Sequence, residues 1–257
     1  MNGMPNDHKI KVLVSWFKDG VITNADAYVV VDVLRFSTTV ITALDIGFKR
    51  VYATSELERA IALARSRKVP LVAEVEGVKP ITADMDNSPS EVLELGGTYI
   101  SNGINELVIR STAGALLTTA LARISMNTYI GSTINASALA TELVKRGYTV
   151  INIVCAGYKA KEFAIEDFIG AGAIVHELIR ASTDSVDINE EGIAAYYLYK
   201  SLSNTLGKVL TRSKSGSVVL STGHEKDIDI VNKVNSTNTV AKTTDMIDNK
   251  IIVIEKS

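Results

Sequence analysis

Strand signals and helix signals alternate along most of this chain, and that alternation narrows its fold more than any other feature. Ile10, Val12, Val14 and Trp16 fall on every second position, as in a half-buried strand. Tyr28 to Val33 is an apolar run broken only by Asp32, which predicts a central strand buried on both faces. Ser37 to Ile46 then carries helical spacing through Val40, Ile41 and Leu44, with Gly47 as terminator. Further strands are predicted over Arg50 to Thr54, Pro70 to Val75, Glu106 to Arg110, Thr128 to Gly131 and Thr149 to Cys155. Helices fall between them. Ser55 with Glu58 reads as a capping box, Ser88-Pro89 with Glu91 as a helix start, and Gly96-Gly97 as the end of that helix. Ala113 to Arg123, Asn135 to Arg146 and Ala164 to Arg180 are the next three. Later segments, Glu190 to Ser203 and Val218 to Val234, read as mainly helical with an interruption at Ser213 to Ser217, and Lys250 to Ile254 closes as a strand.

Repeated strand–helix units predict an α/β chain: a largely parallel or mixed sheet with helices on both faces. The 257 residues fit a single domain, 1–257, with Ser182 to Ile188 as the one candidate subdomain join. The charges, 27 basic against 29 acidic, are interspersed without a basic stripe, which argues against nucleic acid or a charged membrane surface as partner. One cysteine, Cys155, suits a reducing compartment, and the first eleven residues have no apolar signal core, so a cytoplasmic protein is expected. His8, His176 and His224 are too scattered to predict a histidine metal site. There is no GxxxxGK[ST], and Gly170-Ala-Gly172 lies inside a helix rather than after a strand.

Ligands of open α/β sheets bind beyond the carboxyl ends of strands. The polar residues expected there are Asp32 and Arg35, Glu74 and Glu76, Ser111, Thr112 and Gly114, Ser132 and Asn135, and Gly157 with Glu166 and Asp167 beyond it. Two or three carboxylates with an arginine and several helix N-termini suit Mg²⁺ and an anionic substrate. Plainer roles are open for each: a helix cap for Asp32 and Ser88, solvation for Glu74 and Glu76, and complementing a helix dipole for Glu166 and Asp167. Cys155 reads as a packed thiol with no base beside it in sequence.

Taken in order, Val29-Val-Val-Asp-Val-Leu-Arg35 with Ser37-Thr-Thr39, Glu74, Asn87-Ser-Pro89, Ile130-Gly-Ser132 with Asn135, Cys155-Ala-Gly157 and Ile165-Glu-Asp-Phe168 resemble the 2-phosphosulfolactate phosphatases. That resemblance implies a three-layer α/β/α fold and a magnesium-dependent phosphoric monoester hydrolase of coenzyme M biosynthesis, acting on a small phosphorylated hydroxy acid. It also implies that Asp32 and Glu74 hold Mg²⁺ with Asp167 in reserve, and that Asp32, Arg35 and Glu74 carry the chemistry. Arg35 would bind the phosphoryl oxygens, and Ser37, Asn87, Ser88, Gly114, Ser132 and Asn135 would surround the substrate. The expected partner is the small phosphate ester alone, with a homodimer left open. The chain departs from the family where Val75 replaces an arginine and Ser111-Thr-Ala-Gly-Ala-Leu116 replaces a Thr-Thr-Asn-Gly-Thr-Arg run. These changes predict a less cationic and more apolar pocket, unless Arg110, Lys159 or another basic residue refills it from a different direction. They also support an alternative, a divergent non-catalytic relative that binds a small anion.

Overall fold

The computed structural model describes residues 9–257, so His8 lies outside the described residues. The first strand, β1 (Lys9–Trp16), is followed by β2 (Ala27–Val31), α1 (Phe36–Ile46), β3 (Arg50–Thr54), α2 (Leu57–Arg67) and β4 (Leu71–Ala73). Next come α3 (Pro89–Ser101), β5 (Glu106–Arg110), α4 (Gly114–Ala122), β6 (Thr128–Gly131), α5 (Ala136–Lys145) and β7 (Val150–Cys155). The chain continues through α6 (Ile165–Ala181), β8 (Ser185–Ile188), α7 (Glu190–Leu202), α8 (Leu206–Leu210), α9 (Lys214–Ser221) and α10 (Glu225–Val231), and ends in the hairpin β9 (Ala241–Ile247) and β10 (Ile251–Lys256).

Among the described residues, ten strands join one sheet in the order β4-β5-β3-β10-β9-β6-β2-β7-β1-β8. It is largely parallel, with helices on both faces, a three-layer α/β/α arrangement. Two parallel blocks, β4-β5-β3 and β6-β2-β7-β1-β8, flank the antiparallel hairpin. Because β10 runs against β3 and β9 runs against β6, the two blocks run in opposite directions.

Alternation along the strands sorts the core. Val29, Val31, Ile153 and Cys155 pack under α5 and α6, while Tyr28, Val30 and Val154 pack under α1 and α4. The second cluster also takes Val51, Ile109 and Ile252, so one continuous apolar layer spans both blocks. On the opposite face of the smaller block, Ala60 and Ala64 of α2 cover Tyr52, Val108 and Val253.

Several local expectations change. Gly96 and Gly97 lie inside α3, which runs on to Ser101. A Cβ on Gly96 would sit 2.7 Å from Ile46 Cδ1 and 3.1 Å from Phe48, so this glycine lets α3 approach the end of α1 rather than stopping the helix. Ser55 does not cap α2, whose N-cap is Glu56 with no side-chain bond. Ser213 to Ser217 begins α9 instead of interrupting helix, since Ser213 Oγ accepts from the Gly216 amide. The segment read as a join contains β8, an edge strand on β1. Strand β9 escapes the sequence pattern because it is rich in polar residues and half exposed, and its pairing supplies the order.

Candidate active site

A cavity of about 320 Å³ opens where the ends of β2, β4, β5 and β7 meet. Asp32 and Arg35 come from the turn after β2, Glu74 from the end of β4, Asn87 from the entry to α3, Ser111 to Ala113 from the β5–α4 turn, and Gly157 to Lys159 with Lys161 from the loop after β7. Ser215, Val218 and Val219 of α9 close one side. In a flat sheet, the carboxyl ends of oppositely directed blocks would face opposite edges. Six strand steps separate β4 from β2. A twist of about 20–25° per step rotates their directions by roughly 120–150° and brings those ends together.

Asp32 is nine-tenths buried, with its carboxyl at the cavity wall. Burial first, then the charge of Glu74 and after it that of Glu166, push the Asp32 carboxyl up to about 7, against donation from the Phe36 and Gly114 amides. The turn that aims it is fixed from beneath. Ser37 Oγ accepts from the Asp32 amide at 3.0 Å and donates to Val30 O, and Thr38 Oγ1 donates to Val33 O and meets Ser132 Oγ at 2.8 Å. Asn135 accepts from the Ser132 amide and donates to Ile130 O and Thr239 O. Ser37, Ser132 and Asn135 are thus held inside the fold below the cavity rather than along its wall.

Glu74 is satisfied by protein donors. Its Oε1 accepts from the Thr112 amide at 3.1 Å, Thr112 Oγ1 at 3.0 Å and Arg110 Nη1 at 3.3 Å, and its Oε2 from the Gly77 amide at 2.8 Å. Asp167 accepts from the Val33 and Gly157 amides, both at 2.8 Å, tying the ends of β2 and β7 together. Burial, then Asp32 and Glu166, raise its carboxyl well above the usual range. Asp167 does not line the cavity. Glu166 is buried too, and its Oε2 has no hydrogen-bond partner among the described residues.

Arg35 reaches two carboxylates the sequence reading overlooked. It bonds both oxygens of Asp86, at 3.2 and 3.3 Å, and Asp227 Oδ2 at 3.5 Å. Asp86 directly precedes Asn87-Ser88 and was findable there. Asp227 lies 192 residues from Arg35, and nothing local marks it. Asn87 faces the cavity with a buried Oδ1 that lacks a partner among the described residues. Ser88 is the N-cap of α3, accepting from the Glu91 amide and donating to Asp227. Gly114 starts α4 where a Cβ would meet Phe36 Cδ1 at 2.3 Å and Asp32 Oδ2 at 2.6 Å. Only glycine lets this helix start approach Asp32.

The departures from the family pattern do not strip the cavity of cations. Of Val75, Ala113, Ala115 and Leu116, only Ala113 lines it. The first turn of α4 sends Ala115 into the core and Leu116 to solvent, and Val75 is also exposed. Lys159 and Lys161 line the cavity from another loop. Cys155 is buried, and burial pushes its thiol up, followed by the charges of Asp167 and Glu166, as expected of a packed thiol. Among the described residues, no helix is long and apolar enough to cross a membrane.

Comparison with known proteins points to one family. A family model described as 2-phosphosulpholactate phosphatase matches residues 18–246. Three similar proteins each carry the name "Probable 2-phosphosulfolactate phosphatase". The one from Carboxydothermus hydrogenoformans is 32% identical over 211 residues, covering 81% of this chain and 82% of its own. That from Pseudothermotoga lettingae is 35% identical, covering 78% and 81%, and that from Thermotoga petrophila is 30% identical, covering 89% and 92%.

Proposed function

Because the chain belongs to the 2-phosphosulfolactate phosphatase family, we propose that it hydrolyses the phosphate monoester of a small hydroxy acid with the help of Mg²⁺. The observation that carries this reading is Asp32, a buried carboxyl held near 7 at the wall of a cavity of small-molecule size. A carboxyl raised this far by burial and by like charges is a place where positive charge is wanted, as a proton or as a cation.

The donor set fits magnesium. Among the described residues, no three acidic, histidine or cysteine side chains converge as a ready cage. Mg²⁺ ordinarily takes one or two carboxylates and leaves its other positions to water and substrate phosphate. Asp32 would be the first ligand. Glu74 Oε2, with a single protein donor, keeps a lone pair for a second bond, and the unpartnered Oε2 of Glu166 adds negative charge nearby. Asp167, both of whose oxygens accept amides, would hold the strand ends that carry the site. A bound Mg²⁺ supplies electrostatic stabilisation of the phosphoryl group under attack.

The remaining work belongs to side chains of the cavity wall. Arg35 would orient the phosphoryl oxygens, and the Asn87 amide would take a polar group of the ester. Lys159 and Lys161 would offset the charge of an acid group at the other end. These lysines would hold an anion in either reading, so turnover is what separates the enzyme from the divergent anion-binding relative. The test is phosphate release from a panel of phosphorylated hydroxy acids, including 2-phosphosulfolactate, with and without Mg²⁺. Mg²⁺-dependent release from at least one ester is expected. If none is turned over although inorganic phosphate binds, the non-catalytic alternative stands instead.

A further inference from the structure

Resting on the reading of Arg35 as a phosphoryl-binding residue, we propose that Asp227 is a positioning residue of the site, acting from α10 through Arg35. Arg35, Asp86 and Asp227 are all more than nine-tenths buried. A guanidinium has five N–H donors in a fixed plane. Asp86 takes its end-on fork, Nη1 to Oδ2 and Nη2 to Oδ1, and Asp227 Oδ2 takes the outer face of Nη1. Among the described residues, Nε–H and the second Nη2–H have no protein acceptor. Those two donors are parallel and form the side-on edge of the guanidinium, a bidentate match for two phosphate oxygens. Arg35 lines the cavity, so this edge is the one left for a ligand there.

Asp227 is itself anchored. Its Oδ1 accepts from Ser88 Oγ at 2.7 Å, the Ser90 amide at 3.0 Å and Ser90 Oγ at 2.6 Å, all in the first turn of α3. His224 Nε2 lies 3.5 Å from Asp86 Oδ2 on the same side. A free arginine would lose side-chain freedom on gripping phosphate, whereas one clamped by two carboxylates has already done so. Asp227 therefore fixes which edge of Arg35 faces the cavity, although it does not itself line it.

The test measures binding of inorganic phosphate by titration calorimetry in the presence of Mg²⁺, together with steady-state kinetics on the best ester of the panel. In the Asp227→Asn variant, an amide replaces one of the two carboxylates that orient Arg35. Phosphate affinity should fall about tenfold or more, and KM should rise more than kcat falls. Arg35→Met should weaken phosphate at least as much. If Asp227→Asn lowers Tm but leaves phosphate affinity and KM at wild-type values while Arg35→Met weakens both, Asp227 is only structural and the inference fails alone. If Arg35→Met leaves phosphate affinity unchanged, the phosphoryl role of Arg35 falls and the inference falls with it. Should Asp227→Asn not fold, Ser90→Ala decides, because it loosens Asp227 and keeps both charges. A severalfold loss of phosphate affinity is expected there, and no loss overturns the proposal.

Discussion

Asp32 is buried where two other carboxylates raise its pKa, which makes it a cost to the fold when ionised. Its folded value, about 7, lies above the ordinary 3.8. The folded state therefore binds more protons between those values, and this contribution to stability is lost as pH rises through 7. Asp32→Asn removes the charge and keeps the shape. At pH 8 without metal, the variant should melt higher than the wild type by on the order of 5 °C. Added Mg²⁺ should raise the wild-type Tm and leave the variant unmoved. Thermal denaturation at pH 8, with and without Mg²⁺, checks this, and a variant stabilised by Mg²⁺ as much as the wild type would remove Asp32 from the ligand set. Asp32, Arg35, Glu74 and Asn87 could be picked out from sequence because each follows a strand or starts a helix. The cap role of Ser88 was also legible, but the inward orientation of Ser37, Ser132 and Asn135 was not, since a hydroxyl or amide near a turn looks the same in sequence whether it serves backbone or ligand.

At the scale of elements, helix starts and loops decide what the cavity presents. The start of α4 comes within van der Waals distance of Asp32 because residue 114 has no side chain. Gly114→Ala should displace Phe36 and Asp32, costing about 1–3 kcal/mol of stability and most of the activity. Denaturant melts and phosphate release would register it, and wild-type values for both would mean that α4 shifts freely. The loop after β7 supplies Lys159 and Lys161 to the cavity wall. It is closed on itself by reciprocal backbone bonds between Tyr158 and Glu162, and Lys159 and Ala160 take left-handed conformations at φ 53° and 57°. Lys159→Met with Lys161→Met should raise KM for an ester bearing a second acid group about tenfold or more, and change KM for p-nitrophenyl phosphate much less. Equal effects on both would show general electrostatic attraction rather than recognition at that end. The helices α1, α5, α6 and α7 were legible because their apolar spacing persists over ten or more residues. Strands β8 and β9 were not, because edge and hairpin strands half open to solvent need no apolar alternation.

For the molecule as a whole, one sheet carries two parallel blocks of opposite direction whose ends share a cavity. Mg²⁺ and inorganic phosphate together should therefore slow amide exchange in residues 74–77 and 111–114 from one block, in 157–161 from the other, and in 215–219 of α9. Hydrogen exchange measured with and without both ligands tests this, and protection confined to one block would refute a shared site. The strand–helix alternation determined the α/β class by itself, and the residues at strand ends named most of the cavity, because local periodicity and capping are written in neighbouring positions. The opposed direction of the blocks, the clamp of Asp227 and Asp86 on Arg35, and the meeting of Lys159 and Lys161 with Glu74 and Asp32 at one cavity were decided only by the tertiary structure. Each depends on how twist and packing bring together segments far apart in the chain, and no local pattern of side chains encodes that distance.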